Sequence, residues 1–439
     1  MPEAVKRAVH KVRGGGIGSY VDIDLSRCLC AGYQSLLRSC LKHAIGAQLL
    51  PKRLPPLFSA GGKCKLIQEK ESGQFKFCED GLVLAPGLVV ERSPQGPMLD
   101  PSRRGSLWAL HYTSTATEKP YPLKLTNFPI NADFHPLGME LTPRDSAGTS
   151  RLLVINHRRQ NTTIEVFRIH LESHSVSLAY ETTLTHASFV APNAIAAISP
   201  TQFFLSHDHY FTRRMAWPWN KILPPLETFL ALPLSRVDLV SFETRSGTPK
   251  GVRNVQTVAR NIAFANGVAV SDDGSTLAIA STTRAQVQLY SKDETSIRFV
   301  TSVRVPFSVD NIAFAGDELL TAGHPYLPEF MALVKRKSNR APSYVSAIAP
   351  SLQAGLGKSW LTRVSAGANV TTRFMSDGSF LGTSSGAFAD LEMQTMFVVA
   401  LYGSGVAKCG PPELDRFAMT ASWISISNIE AVARGAHQN

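Results

Sequence analysis

Long apolar runs are missing from this chain of 439 residues: no stretch of about 18 consecutive apolar residues occurs, which argues against a membrane-spanning helix. Cysteine is scarce. Cys28, Cys30, Cys40, Cys64, Cys78 and Cys409 are too few for a disulfide scaffold at this length, and no pair of CxxC motifs points to structural zinc. Charge is low at 18% of residues, against 44% hydrophobic, so the chain is not a disordered one and has the means to bury a core. A phosphate-binding loop is absent, because the run Gly14-Gly15-Gly16-Ile17-Gly18 lacks the Gly-Lys-[Ser/Thr] ending and reads as a flexible linker. An ordinary signal peptide is absent too, since charges break the would-be apolar stretch.

What charge there is has a location. The net charge is +11, and residues 1–70 hold twelve Lys and Arg against four acids, so eight of the eleven excess charges belong to the start of the chain. A nucleic-acid binder carries its basic footprint on the folded body, interleaved with aromatics. Nucleic acid is therefore not an expected partner.

Three segments follow from the patterning. Residues 1–62 form a basic leader, in which Leu29, Tyr33, Leu36, Leu37, Cys40, Leu41, Ala44 and Ile45 recur at helical spacing with Arg38 and Lys42 on the other face. Such a helix over 29–50 either lies on a membrane surface or packs on its own domain. Residues 63–409 alternate short apolar runs with Asp, Gly, Ser and Pro turns, and 410–439 form an extension. The clearest stretch runs Phe264–Val270, Ser271-Asp272-Asp273-Gly274, Thr276–Ala280, Gln286–Tyr290 and Ile297–Val300: four consecutive strands, the first pair joined by an Asp-Gly hairpin turn. Similar openings recur at Asp80, Asn193 and Asn311, and from Asn193 through Asn266 to Asn311 they lie about 45 to 75 residues apart, a spacing that suits one four-stranded blade each. The expected fold is all-β, a six-bladed β-propeller behind a helical leader. One exception stands out at 212–235, where Trp217, Trp219, Ile222, Leu223, Leu226, Phe229 and Leu230 predict an apolar excursion over one face.

Each opening also places oxygen ligands next to an apolar run: Glu79 and Asp80, Asn193, Asn266, then Asp310 and Asn311. The first strand of each propeller blade lines the central channel, so these side chains are expected to converge near the axis. Two carboxylates and three amide oxygens suit a hard divalent cation, and calcium tolerates such a mixed, irregular oxygen set. The competing reading is that Asn and Asp simply make turns before strands.

At these residues the sequence resembles the paraoxonase/arylesterase family of six-bladed, calcium-dependent lactonases and esterases. The matching words are Cys78-Glu79-Asp80-Gly81, Leu152–His157, Pro192-Asn193, His207-Asp208-His209-Tyr210-Phe211, Phe264–Gly267, Val309–Ile312 and Gly323-His324-Pro325, in family order across roughly 64–409. The resemblance implies a catalytic calcium held by Glu79, Asn193, Asn266, Asp310 and Asn311. It implies a second, structural calcium at Asp80 and the backbone carbonyl of Met139, but the further carboxylate this site needs falls at Ala194. It implies a disulfide between Cys64 and Cys409. One member of the family's general-base histidine dyad matches His157, while the other falls at Leu137, with His135 two residues away; His209 and His324 match positions near the channel mouth.

Two rival signals are weaker. Gly382-Thr383-Ser384-Ser385-Gly386 fits G-x-S-x-G, yet a nucleophile elbow needs a strand before, a helix after and a downstream histidine, and only His437 follows. His207-Asp208-His209 could be part of a zinc site, but no third nitrogen or sulfur ligand supports it. The reading is thus a calcium-dependent hydrolase of esters and lactones acting on a small hydrophobic substrate. Its alternative is a non-catalytic, calcium-stabilised propeller that binds a ligand or protein. The implied disulfide and the sequons at Asn161 and Asn369 favour the secretory pathway or the extracellular space, and segments 29–50 and 212–235 are candidates for peripheral membrane contact.

Overall fold

A chain whose apolar runs are short and whose turns are frequent can bury both faces of its strands only by stacking sheets on one another. The computed structural model of the protein describes residues 54–59, 63–85, 88–93, 104–112, 118–171, 175–293, 296–351 and 359–410. The amphipathic segment 29–50 and the extension beyond residue 410 lie outside the described residues.

The strands fall into six sheets in chain order. The first joins Gly81–Ala85, Leu88–Ser93, Ser106–His111 and Tyr121–Pro122. The second joins Pro136–Leu141, Arg151–His157, Thr162–Leu171 and Val176–Leu184, with Lys124–Thr126 added in parallel at its outer edge. The third has Pro192–Ser199, Gln202–His207, Ser235–Arg245 and Thr248–Ile262. The fourth has the expected four strands, observed at Ala265–Val270, Thr276–Ser281, Gln286–Lys292 and Ile297–Arg304, and Gly274 takes φ 68° in the first hairpin turn. The fifth has Ser308–Ala315, Glu318–His324, Ser343–Pro350 and Ala368–Ser376, and the last Ser384–Asp390, Thr395–Ala400 and Val406–Cys409.

The arrangement is a β-propeller. Five blades are counted where the sequence reading expects six; the first sheet is the least regular, its outermost strand being only the two residues Tyr121–Pro122. The beginning of the described chain closes the ring. Cys64–Ile67 pairs antiparallel with Val406–Cys409, and Cys64 is disulfide-bonded to Cys409 across 345 residues of sequence. Phe58–Ser59, placed in the leader by sequence, pairs with Phe374 and Met375 of the fifth sheet. The boundary at 62 therefore cuts too late.

Core side chains interdigitate between neighbouring sheets: Leu153, Ile155 and Ile164 of the second meet Ile195, Phe203 and Leu205 of the third. Strands covered on both faces lose the inside–outside alternation, and Thr276–Ser281 is buried at every position. Three helices interrupt the strands among the described residues: α1 (Trp219–Phe229), α2 (Leu327–Val334) and α3 (Trp360–Ala366). Helix α1 lies in the expected apolar excursion and exposes Trp219, Ile222 and Leu226, beside Trp217 at 80% exposure.

Candidate metal centre

The inner strands share a defect. Pairing with the next strand slips between Pro136 and Met139, Pro192 and Ile195, Ala265 and Val268, Val309 and Ile312, and Ser384 and Gly386. The residues thrown out of register are Leu137-Gly138, Asn193-Ala194, Asn266-Gly267, Asp310-Asn311 and Ser385. A β-bulge leaves residues unpaired and re-aims their side chains, a device common beside active sites. Sequence patterning puts Asn193, Asn266, Asp310 and Asn311 beside apolar runs; they stand inside the strands, at the bulges.

Close backbone approach brings two of these bulges together. A Cβ on Gly267 would lie 2.7 Å from both Asn311 Cα and Ile312 N, so only glycine lets the Asn266 and Asp310-Asn311 segments touch. Three channel residues are also preceded, two positions earlier, by a non-glycine residue at positive φ: Phe77 (62°) before Glu79, Phe264 (56°) before Asn266 and Thr383 (64°) before Ser385. Such backbone costs about 1–3 kcal/mol per residue and persists only where the surroundings enforce it.

Glu79, Asn193, Asn266, Asp310 and Asn311 are all buried, at 3–8% exposure. Asn311 Nδ2 donates to Glu79 Oε1 at 3.1 Å and to the Glu79 carbonyl at 3.3 Å, which also accepts from Ser385 Oγ at 2.8 Å. Asn266 Nδ2 donates to Thr282 Oγ1 at 3.2 Å, and Asn193 Nδ2 to Asp208 Oδ2 at 3.4 Å. These contacts use the amide nitrogens and leave the oxygens. Asn193 Oδ1 and Asn266 Oδ1 are buried without a hydrogen-bond partner. Unpaired buried acceptors cost about 1–3 kcal/mol each, so two in one set call for a ligand that accepts lone pairs. Beside the carboxylates of Glu79 and Asp310, the donor set fits a hard divalent cation. Among the described residues no group of three His, Cys, Asp or Glu side chains is placed to hold a metal, so any centre here depends on its amides.

Asp80 is engaged differently. Its Oδ1 accepts from Gly81 N at 2.9 Å and its Oδ2 from Met139 N at 2.9 Å; the contact to Met139 thus runs through the N–H rather than the carbonyl.

The histidines divide by partner. His324 Nε2 lies 3.1 Å from Asp310 Oδ2, and its ring stacks on Phe330 of α2 at 4.0 Å. His157 Nε2 lies 2.6 Å from the Pro192 carbonyl. His209 Nδ1 lies 3.0 Å from Asp208 Oδ1 and its Nε2 2.8 Å from Thr228 Oγ1 of α1, while Glu227 of the same helix accepts from Tyr210 N and Phe211 N, each at 2.9 Å. Burial pulls His209 down, but the charge and hydrogen bond of Asp208 outweigh it, and the ring titrates above its ordinary value. Burial likewise works against the Asp208 carboxylate, yet His209, His157 and Asn193 hold it below its usual range. Asp208 is the residue that sequence reasoning undervalued: it was legible only as the middle of His207-Asp208-His209, while its bridge from His209 to Asn193 is long-range. His207 turns away to Asp238 at 3.0 Å, which dissolves the zinc reading. His135 is bound to Asp133 at 2.7 Å, and Leu137 packs with the apolar cluster around Leu153 and Ile155.

Ser384 is no nucleophile. It lies fully buried in a strand, donating to the carbonyls of Gly323 and Tyr344 and accepting from Tyr344 N.

Comparison with known proteins follows the same outline. The family described as Arylesterase matches residues 61–402. The chain is 29% identical over 269 residues to serum paraoxonase/lactonase 3 of Oryctolagus cuniculus, covering 60% of this chain and 69% of that one. It is 30% identical over 233 residues to serum paraoxonase/arylesterase 1 of Mus musculus, covering 52% of this chain and 59% of that one. Against serum paraoxonase/lactonase 3 of Homo sapiens the identity is 27% over 269 residues. A match that runs through nearly all the sheets and across every bulge segment assigns the chain to the arylesterase family.

Proposed function

We propose that the protein hydrolyses carboxylic esters and lactones at a calcium ion held by Glu79, Asn193, Asn266, Asp310 and Asn311. The observation that carries this is the pair of partnerless amide oxygens at the Asn193 and Asn266 bulges, with the carboxylates of Glu79 and Asp310 buried as well. The same reading takes the Gly81–Pro122 sheet as a sixth blade. It is supported by the neighbour relations of the inner strands, which run from Gly81–Ala85 through each sheet in turn and back from Ser384–Asp390.

Calcium bound there supplies a Lewis acid for the substrate carbonyl and a counter-charge for the oxyanion. The protein's part is positioning and proton transfer. Asp208 and Thr282 hold the Asn193 and Asn266 nitrogens, which leaves both amide oxygens for the ion. His157 donates Nε2–H to the Pro192 carbonyl, so Nδ1 is the basic nitrogen of its neutral ring and a candidate to deprotonate the attacking water, with Glu79 the other. Leucine stands at 137, where the second histidine of the family's dyad would fall. His324 steadies Asp310, and Phe330 with Tyr402 gives its surroundings an apolar wall. Helix α1, docked on the His209 loop through Glu227 and Thr228, acts as a lid that favours hydrophobic substrates, and its exposed Trp219, Ile222 and Leu226 suit an apolar surface.

The disulfide and the exposed sequon residues Asn161 and Asn369 support a secretory route with glycosylation at both. No described helix is long and apolar enough to cross a membrane.

A second reading, a calcium-stabilised binding module, draws on Leu137. Rates with phenyl acetate and medium-chain lactones, with and without a chelator, separate the two. The expected result is turnover that a chelator removes and calcium restores, and a loss of about 100-fold or more in Glu79→Gln. Equal rates for Glu79→Gln and wild type overturn the metal reading; no turnover at saturating calcium leaves the binding module.

A further inference from the structure

The set around Asp80 does not fit a cation as the set around Glu79 does. Calcium takes six to eight oxygens and is held by several carboxylates or carbonyls. At Asp80 both carboxylate oxygens already accept backbone N–H groups, from Gly81 and from Met139. The position where the resemblance calls for a further carboxylate is Ala194, buried and apolar. The backbone of Ala194 is also satisfied: its N–H donates to Ser206 Oγ at 3.0 Å, and Ser206 Oγ contacts its carbonyl at 3.4 Å. The two bulges also pack backbone to backbone, since a Cβ on Gly138 would lie 2.5 Å from the Asn193 carbonyl and 3.0 Å from Ala194 Cα. Glu140, the other nearby carboxylate, turns Oε1 to Leu141 N at 2.8 Å.

We infer that the protein binds one cation rather than two, and that a metal-free latch replaces the second: Asp80 ties the first sheet to the second through Met139 N–H, and Ser206 pins the Ala194 bulge. This rests on the calcium reading of the Glu79 set. Metal that would brace two inner strands in a two-calcium propeller is here exchanged for hydrogen bonds that need no ion.

The test counts calcium on the full chain by elemental analysis after desalting and by titration of chelator-stripped protein. Wild type should hold one equivalent, Asp80→Asn one and Glu79→Gln none. The melting temperature of Asp80→Asn should lie below that of wild type by the same interval at 0.1 and at 10 mM calcium, roughly, because nothing that binds the folded state is lost. Two equivalents in wild type, one of them lost in Asp80→Asn or Glu140→Gln, overturn the inference while leaving the Glu79 centre standing. No calcium in wild type removes the Glu79 centre itself. Ala194→Asp should raise the count to two if the missing carboxylate is what closed the site, and a count of one in that folded variant rejects this explanation.

Discussion

Asn311 and Glu79 stand 232 residues apart in sequence, yet Asn311 Nδ2 donates to Glu79 Oε1 at 3.1 Å. One bond thereby joins the first and fifth sheets at the centre of the candidate site and fixes how the carboxylate faces the channel. Asn311→Leu keeps the volume and removes both amide functions. Calcium affinity should fall by about 10–100-fold, as for other groups that orient a ligand. Titration calorimetry of the stripped protein reads this directly; unchanged affinity would show that Asn311 neither binds nor orients.

The Asp208–His209 pair gives a signed dependence on pH. His209 titrates above its ordinary value because Asp208 outweighs burial. Its contribution to stability is therefore complete below the unfolded value of about 6.5 and is lost as pH rises through the folded one. In Asp208→Asn, burial is left opposed by Glu227, and the titration should move down. Histidine resonances followed by NMR across pH 5–9, roughly, check both the direction and the shift.

Arg151 is the largest of the fully buried side chains. Its guanidinium donates to Glu181 at 2.6 Å, to Asp145 at 2.9 Å and to the Gly247 carbonyl, joining the second and third sheets. Arg151→Ala removes the shared partner of Asp145 and Glu181, although Glu181 keeps Arg168, and should cost about 1–3 kcal/mol, mostly from the lost buried packing and hydrogen bonds. Lysine cannot reproduce the fork and should recover only part of the loss. Urea unfolding at constant slope measures both.

Closing the ring with Cys64 and Cys409 constrains nearly the whole described chain in the unfolded state. Replacing both by alanine should lower stability by about 2–5 kcal/mol. Reductant should lower the melting temperature of wild type and leave the double variant unmoved.

Much of this molecule is legible in its residues. The Asp273-Gly274 hairpin and the strands around it are written in short apolar runs and a turn that needs positive φ, and they appear where expected. The apolar excursion at 212–235 carries α1, because its Trp and Leu positions leave no strand alternation. The bulges were not legible: Asn266-Gly267 reads as part of the strand Phe264–Val270, and only the partner strand reveals that pairing skips it. Nor could Asp208 be ranked, since its bridge to Asn193 depends on two strands meeting. Phe58–Ser59 was misplaced because two residues carry no period at all.

The bulges have an evolutionary corollary. A residue that the ladder skips can be exchanged without breaking a strand-to-strand hydrogen bond, so positions 137, 193, 194, 266, 310 and 311 form a palette set apart from the ladders. Leucine at 137 and alanine at 194 are tolerated on these terms. Within one scaffold, reactivity and ion count can then drift by single substitutions while the wheel of sheets stays as it is.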